Sequence, residues 1–197
     1  PSLIVKYRPR SFQDIVGQKR ALAPVIRGLQ IGRLPNAWLF SGAIGVGKTS
    51  AAWCLTLAMN CESFDRRNLT LCGTCPSCKG SAISFHFYNC AAPGFDPIRL
   101  ITFGADFSPG GRNYRIYFFD ECHNLSARIQ EAINSFLDNL RPHLFVVFAT
   151  NQLDRLNPSL IGRLNHIQMA TPNEKAIFQL LSNISEKEEM CVSKNKL

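Results

Sequence analysis

The chain has 197 residues, of which 46% are hydrophobic, and it carries a formal net charge of +8. This length suits one α/β domain of ordinary size, and no run of about 18 apolar residues is present to span a membrane. The first residues also lack the long apolar segment of a signal peptide. Composition therefore excludes a membrane-spanning protein and favours a cytoplasmic one with no membrane partner.

Positive charge is concentrated at the start of the chain. Residues 1–33 contain seven Lys or Arg but a single acid, Asp14. Such a basic segment suits a polyanion, either nucleotide phosphates or DNA, whereas a solvated basic face is the alternative. We favour nucleic-acid contact, although charge by itself leaves the alternatives open.

The first clear element after this basic segment is a helix. Leu22, Val25, Ile26 and Leu29 have the i, i+3, i+4, i+7 spacing of one apolar helix face. Pro24 is compatible with that helix only in its first turn. A glycine and a proline soon after the stripe predict where the helix ends.

The run 42–49 fits the phosphate-loop pattern GxxxxGK[ST] at every fixed position. It follows an apolar strand, 37–40, and precedes a helix-forming stretch, 50–60, as that motif requires. Glycines let backbone N–H groups turn toward the β-phosphate, and the helix N-terminus favours negative charge. We expect Lys48 to reach the β- and γ-oxygens and the Thr49 hydroxyl to hold Mg²⁺. The predicted ATP or GTP contacts are Gly42, Gly45, Val46, Gly47, Lys48, Thr49 and Ser50.

A cysteine-rich insert follows at 61–80, with the spacing C-x₁₀-C-x₂-C-x₂-C. Each x₂ pair lets two thiolates of one tight turn bind the same ion. Four soft ligands favour a closed, structural Zn²⁺ site, with an iron–sulfur cluster or free buried cysteines as alternatives. The predicted ligands are Cys61, Cys72, Cys75 and Cys78. The remaining cysteines are expected to fill apolar space: Cys54, Cys90, Cys122 and Cys191.

Two acids follow the third predicted strand. Residues 84–90 and 114–119 predict strands two and three, with a weak helix over 96–106 between them. Because open α/β sheets bind ligands at the carboxyl ends of their strands, we expect Asp120 to hold the Mg²⁺ water shell. We expect Glu121 to orient and deprotonate the attacking water. A strand-capping turn is the alternative, but beside a phosphate loop the pair predicts hydrolysis.

The next stretch continues the alternation of helix and strand. We assign no chemistry to His123, since a satisfied histidine is the commoner case. Ser126 is expected to cap a helix that ends at Pro142, and 144–149 predicts the fourth strand.

Polar residues after the fourth strand complete the predicted site. Thr150 or Asn151 could hydrogen-bond the γ-phosphate and the attacking water, with an Asx-turn as the alternative. Arg163 follows a short helical turn. Because Lys48 already serves its own site, Arg163 either acts on a neighbouring subunit's nucleotide or forms a surface salt bridge.

A short fifth strand, 167–169, and a last helix beginning near 172 end the pattern, before a charged tail from 186. Strands that alternate with helices predict an α/β fold, a parallel sheet covered on both faces.

Several segments together resemble AAA+ clamp-loader ATPases. The lead-in Lys6-Tyr7-Arg8-Pro9 and Val16-Gly17-Gln18 are similar to the start of that family, as are the phosphate loop, the acid pair and Arg163. The four-cysteine insert is the narrowest mark, because it resembles the zinc module of bacterial DNA polymerase III gamma/tau subunits. The similarity runs from about residue 3 to about residue 185.

The resemblance implies a P-loop AAA+ domain over 1–170, with 61–80 as its zinc insert, and the beginning of a truncated helical lid over 171–197. It implies a five-stranded parallel sheet and an ATP-driven motor that loads a sliding clamp onto primed DNA with other clamp-loader subunits. Thr150 or Asn151 matches the sensor-1 position, and Arg163 matches the arginine finger. The family's adenine cradle falls on Tyr7, Arg8, Pro9, Val16 and Gly17.

Two other functions remain open from the sequence. One is a non-hydrolysing structural clamp-loader subunit, which the combination of Lys48, Thr49 and Glu121 disfavours. The other is a different DNA-associated AAA+ ATPase, such as a helicase loader or a Holliday-junction motor, which the cysteine insert disfavours.

Overall fold

A computed structural model describes residues 2–92 and 114–190. Five parallel strands form one sheet in the order β2-β3-β4-β1-β5. The strands are β1 (Ala37–Ser41), β2 (Phe85–Asn89), β3 (Arg115–Asp120), β4 (Leu144–Thr150) and β5 (Asn165–Gln168). The described α-helices are α1 (Leu3–Lys6), α2 (Ala23–Ile31), α3 (Lys48–Asn60), α4 (Pro76–Lys79), α5 (Ala127–Leu137), α6 (Pro158–Arg163) and α7 (Glu174–Lys187). The predicted α/β class and five-stranded parallel sheet are confirmed.

The central strand β4 shows why this sheet is covered on both faces. All seven of its residues are buried, and successive side chains point to opposite faces. Phe145 and Val147 pack with α2 and α3, whereas Val146 and Phe148 pack with α5 and α6. Each fully buried side chain of this kind contributes about 1.5–3 kcal/mol.

The helix boundaries follow local chemistry. Pro24 lies in the first turn of α2, as required, and Gly32 ends that helix with φ 71°. The Ser126 hydroxyl caps α5 by accepting a hydrogen bond from the Ile129 N–H at 3.4 Å. That helix ends at Leu137 rather than at the predicted Pro142, because tight i→i+3 bonds close its last turn earlier.

The fifth strand begins two residues earlier than predicted. It occupies Asn165–Gln168 because it pairs with β1, with Asn165 opposite Trp38 and Gln168 opposite Ser41. Asn173 caps α7, the helix expected near residue 172. The helix predicted over 96–106 and the end of the predicted tail, 191–197, lie outside the described residues.

None of the described helices is both long enough and apolar enough to cross a membrane.

Candidate nucleotide site and metal centre

The phosphate loop connects β1 to α3 at the carboxyl edge of the sheet. Gly45 and Gly47 have φ 82° and 103°, where a side chain would be strained. Gly42 has a further constraint, because a Cβ there would lie 2.5 Å from the Met169 carbonyl oxygen. The Gly42 N–H donates to the Thr150 carbonyl at 3.1 Å, which ties the loop to the end of β4. The glycines therefore allow the close backbone approach that the motif predicts.

Lys48 is the first residue of α3, and its side chain turns back into the loop. The side chain is buried, and Nζ donates to the carbonyl oxygens of Gly42 at 2.8 Å and Ala43 at 2.9 Å. Burial lowers the pKa of Lys48, while the charges of Asp120 and Glu121 oppose that effect. The loop thus holds one ammonium group within electrostatic range of both acids, and Thr49 and Ser50 follow it in the first turn of α3.

The acid pair lies at the same edge of the sheet. Asp120 is the last residue of β3, and its Oδ1 accepts from the Glu121 N–H at 3.0 Å. Glu121 has φ 53°, a left-handed conformation that is uncommon for a residue with a side chain. Backbone outliers of this kind concentrate at functional sites, where they direct a side chain out of the strand.

His123 connects Glu121 to the end of β4, a link that sequence reasoning missed. The buried imidazole places Nδ1 3.3 Å from Glu121 Oε2 and 3.2 Å from Thr150 Oγ1. The Thr150 hydroxyl in turn accepts from the Gln152 N–H at 3.0 Å. Only the Asp-Glu-x-His spacing hinted at this contact, and that spacing does not reveal that β4 ends beside β3.

The two predicted sensor residues differ in environment. Thr150 is fully buried and bonded to His123, whereas Asn151 Oδ1 is buried without a hydrogen-bond partner among the described residues. A buried amide oxygen without a partner is costly, so it favours a donor at this position. A bound water is one group that would supply such a donor.

Arg163 lies away from the phosphate loop of its own chain. It ends α6, two residues before Asn165, which pairs with the start of β1. The phosphate loop follows Ser41, at the other end of β1. Along the strand direction, the start of β5 and the phosphate loop are therefore separated by three residues of β1, or about 10 Å. The guanidinium is exposed and pairs with Asp138, its Nε lying 3.1 Å from Oδ1. The structure therefore leaves this arginine at a surface remote from the site of its own chain.

The lead-in residues contact α3 and the residues that flank both ends of α7. The Pro9 carbonyl accepts from the Cys54 thiol at 3.5 Å, and Gly17 lies against Pro172. The Tyr7 hydroxyl donates to Glu188 at the end of α7. The adenine cradle predicted at Tyr7, Arg8, Pro9, Val16 and Gly17 stays a prediction.

The four insert cysteines form one cluster. All four sulfur atoms lie within 4.8 Å of one another, with Cys78 3.6 Å from Cys61 and 3.8 Å from Cys72. Four thiolates around Zn²⁺ at the usual distance of about 2.3 Å would lie about 3.8 Å apart. The donor set and its spacing therefore fit a tetrahedral Zn²⁺ centre.

Backbone N–H groups support these sulfurs. The N–H groups of Cys72, Cys75 and Cys78 donate to the sulfurs of Cys61, Cys72 and Cys75 at 3.3–3.4 Å. N–H donors from Cys75 and Thr74 lower the pKa of the Cys72 thiol to about 5. Arg10 donates to the Cys78 carbonyl, so the basic lead-in also holds the insert in place.

Three of the remaining cysteines are buried, as expected of apolar fillers: Cys54, Cys90 and Cys122. Burial raises the pKa of Cys54 and of Cys90 to about 12. These thiols are therefore neutral at physiological pH. Cys191 lies outside the described residues.

Comparison with solved structures shows that the chain shares its fold with RuvB. The RuvB Holliday junction branch migration motor of Thermotoga maritima superposes with a TM-score of 0.60 at 16% identity, over 93% of this chain and 55% of that one. A RuvB mutant from the same organism gives a TM-score of 0.67 at 15% identity, over 96% and 58%.

Curated relatives are DNA polymerase III subunits. The gamma/tau subunit of Mycobacterium tuberculosis is 31% identical over 97% of this chain and 34% of its own length. The gamma subunit of Buchnera aphidicola from Acyrthosiphon pisum is 30% identical over 94% and 52%, and the Escherichia coli tau subunit 29% over 94% and 29%. The chain thus spans between about a third and a half of these relatives.

A family model described as DNA polymerase III, delta subunit, matches residues 17–173. That range contains the phosphate loop, the cysteine cluster, the acid pair and Arg163. The chain therefore belongs to the DNA polymerase III delta-subunit family, and its similarity to gamma/tau subunits over nearly its whole length confirms the resemblance predicted from its motifs.

Proposed function

We propose that this chain is the ATP-binding and ATP-hydrolysing motor of a clamp-loader subunit. In that role it opens the sliding clamp and loads it onto primed DNA during replication, together with other clamp-loader subunits in the cytoplasm. The observation that carries the proposal is the meeting of Lys48, Asp120 and Glu121 at one edge of the parallel sheet. The similarity to gamma/tau subunits supports the choice of clamp loading over other tasks.

Nucleotide binding would replace the internal contacts of Lys48. Its Nζ now donates to two loop carbonyls, and the β- and γ-phosphate oxygens offer stronger, charge-assisted acceptors. Thr49 and Asp120 provide the hard oxygen ligands that Mg²⁺ prefers. When bound, that ion would neutralise charge on the transferring phosphoryl group.

Glu121 is the proposed general base. Its backbone N–H donates to Asp120 Oδ1, and its carboxylate lies 3.3 Å from His123 Nδ1, a contact that fixes its direction before a water is bound. Thr150 contacts the same imidazole, so β4 and the base share one partner. We infer that a movement of Thr150, at the end of β4, alters the position of the Glu121 carboxylate through His123.

Arg163 is the proposed contribution to a neighbouring subunit. Its exposure and its distance from the phosphate loop of its own chain suit action in trans. An arginine supplied in this way stabilises charge on the transferring phosphoryl group and is worth about 10³–10⁵ in rate. Full turnover would then require assembled subunits.

The cysteine cluster is proposed as a structural Zn²⁺ centre. Four thiolates close the coordination shell, so no position remains open for chemistry. The cluster begins just beyond Asn60, at the end of α3 opposite the phosphate loop. Zinc would therefore stabilise the insert without taking part in hydrolysis.

The test of this function is ATP binding by the full-length protein and its Lys48→Ala variant, measured by calorimetry with Mg²⁺. We expect the unmodified protein to bind ATP and the variant to lose at least tenfold in affinity, because Lys48 is the cation inside the loop. Lys79→Ala is a matched control, since Lys79 lies in α4 of the insert. Equal affinity in all three proteins would overturn the proposal.

A further inference from the structure

Gln18 is fully buried, and its side-chain amide joins two distant parts of the chain. Nε2 donates to the carbonyl oxygens of Val46 at 3.2 Å and Ala170 at 2.6 Å. Oε1 accepts from the Ala170 N–H at 3.2 Å. One amide therefore bridges the phosphate loop and the segment that leads into α7.

The bond to Val46 fixes the direction of one peptide group in the loop. In a trans peptide the carbonyl and the following N–H point to opposite sides. With the Val46 carbonyl held by Gln18, the Gly47 N–H must point away from Gln18. Gly47 has φ 103°, and glycine places little restriction on rotation of this peptide. The Gln18 bond therefore supplies a restraint that the local sequence lacks.

The same segment before α7 also packs directly on the loop. The Met169 N–H donates to the Ser41 carbonyl at 2.8 Å, and the Met169 carbonyl is what a side chain at Gly42 would strike. Asn173 then caps α7 three residues after Ala170. Gln18 and Met169 thus both connect the phosphate loop to the segment that leads into the N-terminus of α7.

We propose that Gln18 is a positioning residue, which holds the Val46–Gly47 peptide ready for phosphate and couples phosphate binding to α7. The inference rests on the proposed nucleotide binding. Phosphate that bonds the Gly47 N–H strengthens the carbonyl of the same peptide as an acceptor, since hydrogen bonds in a chain polarise one another. The hydrogen bond from Gln18 to the Val46 carbonyl then becomes stronger. Because the same amide also bonds Ala170, the position of Ala170 is restricted as well.

The test compares Gln18→Met with Gln130→Met in the full-length protein. Methionine keeps the length of the side chain and removes its hydrogen bonds. Gln130 is a matched control because it is also buried and bridges two segments through the Leu125 carbonyl, at 2.9 Å, and the Asn157 N–H, at 2.7 Å. Its hydrogen bonds within the described part of the chain reach neither the loop nor Ala170, so it reports the cost of losing a buried amide alone.

Two measurements are made on each protein: ADP affinity by calorimetry, and amide hydrogen exchange along α7 with and without ADP. We expect Gln18→Met to bind ADP at least tenfold more weakly and to lose the ADP-dependent slowing of exchange at Ala176 and Ile177. We expect Gln130→Met to keep both properties even if it unfolds at a lower temperature. ADP affinity within twofold of the unmodified protein, in a folded Gln18→Met, would overturn the proposal.

Nucleotide-free exchange separates this proposal from the proposed function. If the unmodified protein binds no ADP, the nucleotide function fails and the coupling fails with it. The bridge itself is then tested by the exchange rate of the Ala170 N–H, which donates its hydrogen bond to Gln18 Oε1. The bridge is supported if the Ala170 N–H exchanges slowly in the unmodified protein and in Gln130→Met but fast in Gln18→Met. Equal exchange rates of this N–H in all three proteins refute it.

Discussion

Arg163 and Asp138 form a two-point ion pair, with Nε 3.1 Å from Oδ1 and Nη2 3.3 Å from Oδ2. Both side chains are exposed, and exposed ion pairs contribute little to stability because solvent screens them. The pair also raises the pKa of Arg163, so the guanidinium stays charged at any working pH. Asp138 thus holds a permanent cation at the surface, where a neighbouring nucleotide could compete for it.

Replacing Arg163 with Ala should separate stability from turnover. We expect the free energy of unfolding to stay nearly unchanged, because the ion pair is exposed and screened by solvent. We expect ATP hydrolysis by the assembled complex to fall by about 10³-fold or more, because the arginine acts in trans. Hydrolysis at the unmodified rate would remove Arg163 from the mechanism. Asp138→Asn is the matched control, since it breaks the same ion pair and keeps the arginine.

Replacing Glu121 with Gln should preserve ATP binding and abolish turnover. The amide keeps the shape of the side chain but cannot accept a proton from water, and general bases contribute about 10²–10⁴ in rate. The measurement is single-turnover hydrolysis with ATP affinity determined in parallel. An unchanged rate would exclude Glu121 as the base.

Replacing His123 with Phe should lower the turnover rate while leaving ATP affinity unchanged. The ring fills the same buried space, but Glu121 and Thr150 lose their common partner. The variant should fall between the unmodified protein and Glu121→Gln in steady-state hydrolysis. His86→Phe is the control, because His86 lies in β2 and stacks on Tyr117 of β3, three residues before Asp120. Equal rates in both variants would show that the link has no part in turnover.

Removing zinc should destabilise the insert and spare the nucleotide site. Cys72→Ser should lose the bound metal and lower the melting temperature by about 2–4 °C for each kcal/mol of lost stability. Cys54→Ala is the control, because it removes a buried thiol outside the cluster and should keep one zinc per chain. Metal content is measured by atomic spectroscopy. Loss of ATP affinity on chelation would contradict the separation of the two sites.

The buried thiol of Cys54 should resist alkylation in the folded protein. Burial raises its pKa to about 12, so the reactive thiolate is scarce at pH 8. Because the folded pKa lies above the unfolded one, this group's contribution to stability is complete below about pH 9 and is lost as pH rises toward 12. Mass spectrometry after iodoacetamide treatment should find Cys54 labelled only once the protein is unfolded. Rapid labelling at pH 8 in the native state would contradict the burial.

The sheet and the phosphate loop were predictable because their signals are local. The apolar run of β4 and the motif at 42–49 each occupy fewer than ten consecutive residues. Cysteine spacing likewise predicted a cluster that the structure confirms. Gln18 and His123 were not predictable in their roles, since their partners Ala170 and Thr150 lie 152 and 27 residues away. Only the order of strands in the sheet brings those partners together.

The most direct test of the motor is steady-state ATP hydrolysis by the full-length protein with its partner subunits. Rates are compared with and without sliding clamp and primed DNA, and with Glu121→Gln as the inactive control. The account predicts low hydrolysis alone and strong stimulation when clamp and primed DNA are both present. ATP binding without stimulated hydrolysis would contradict it and leave a structural subunit or a different DNA-associated ATPase.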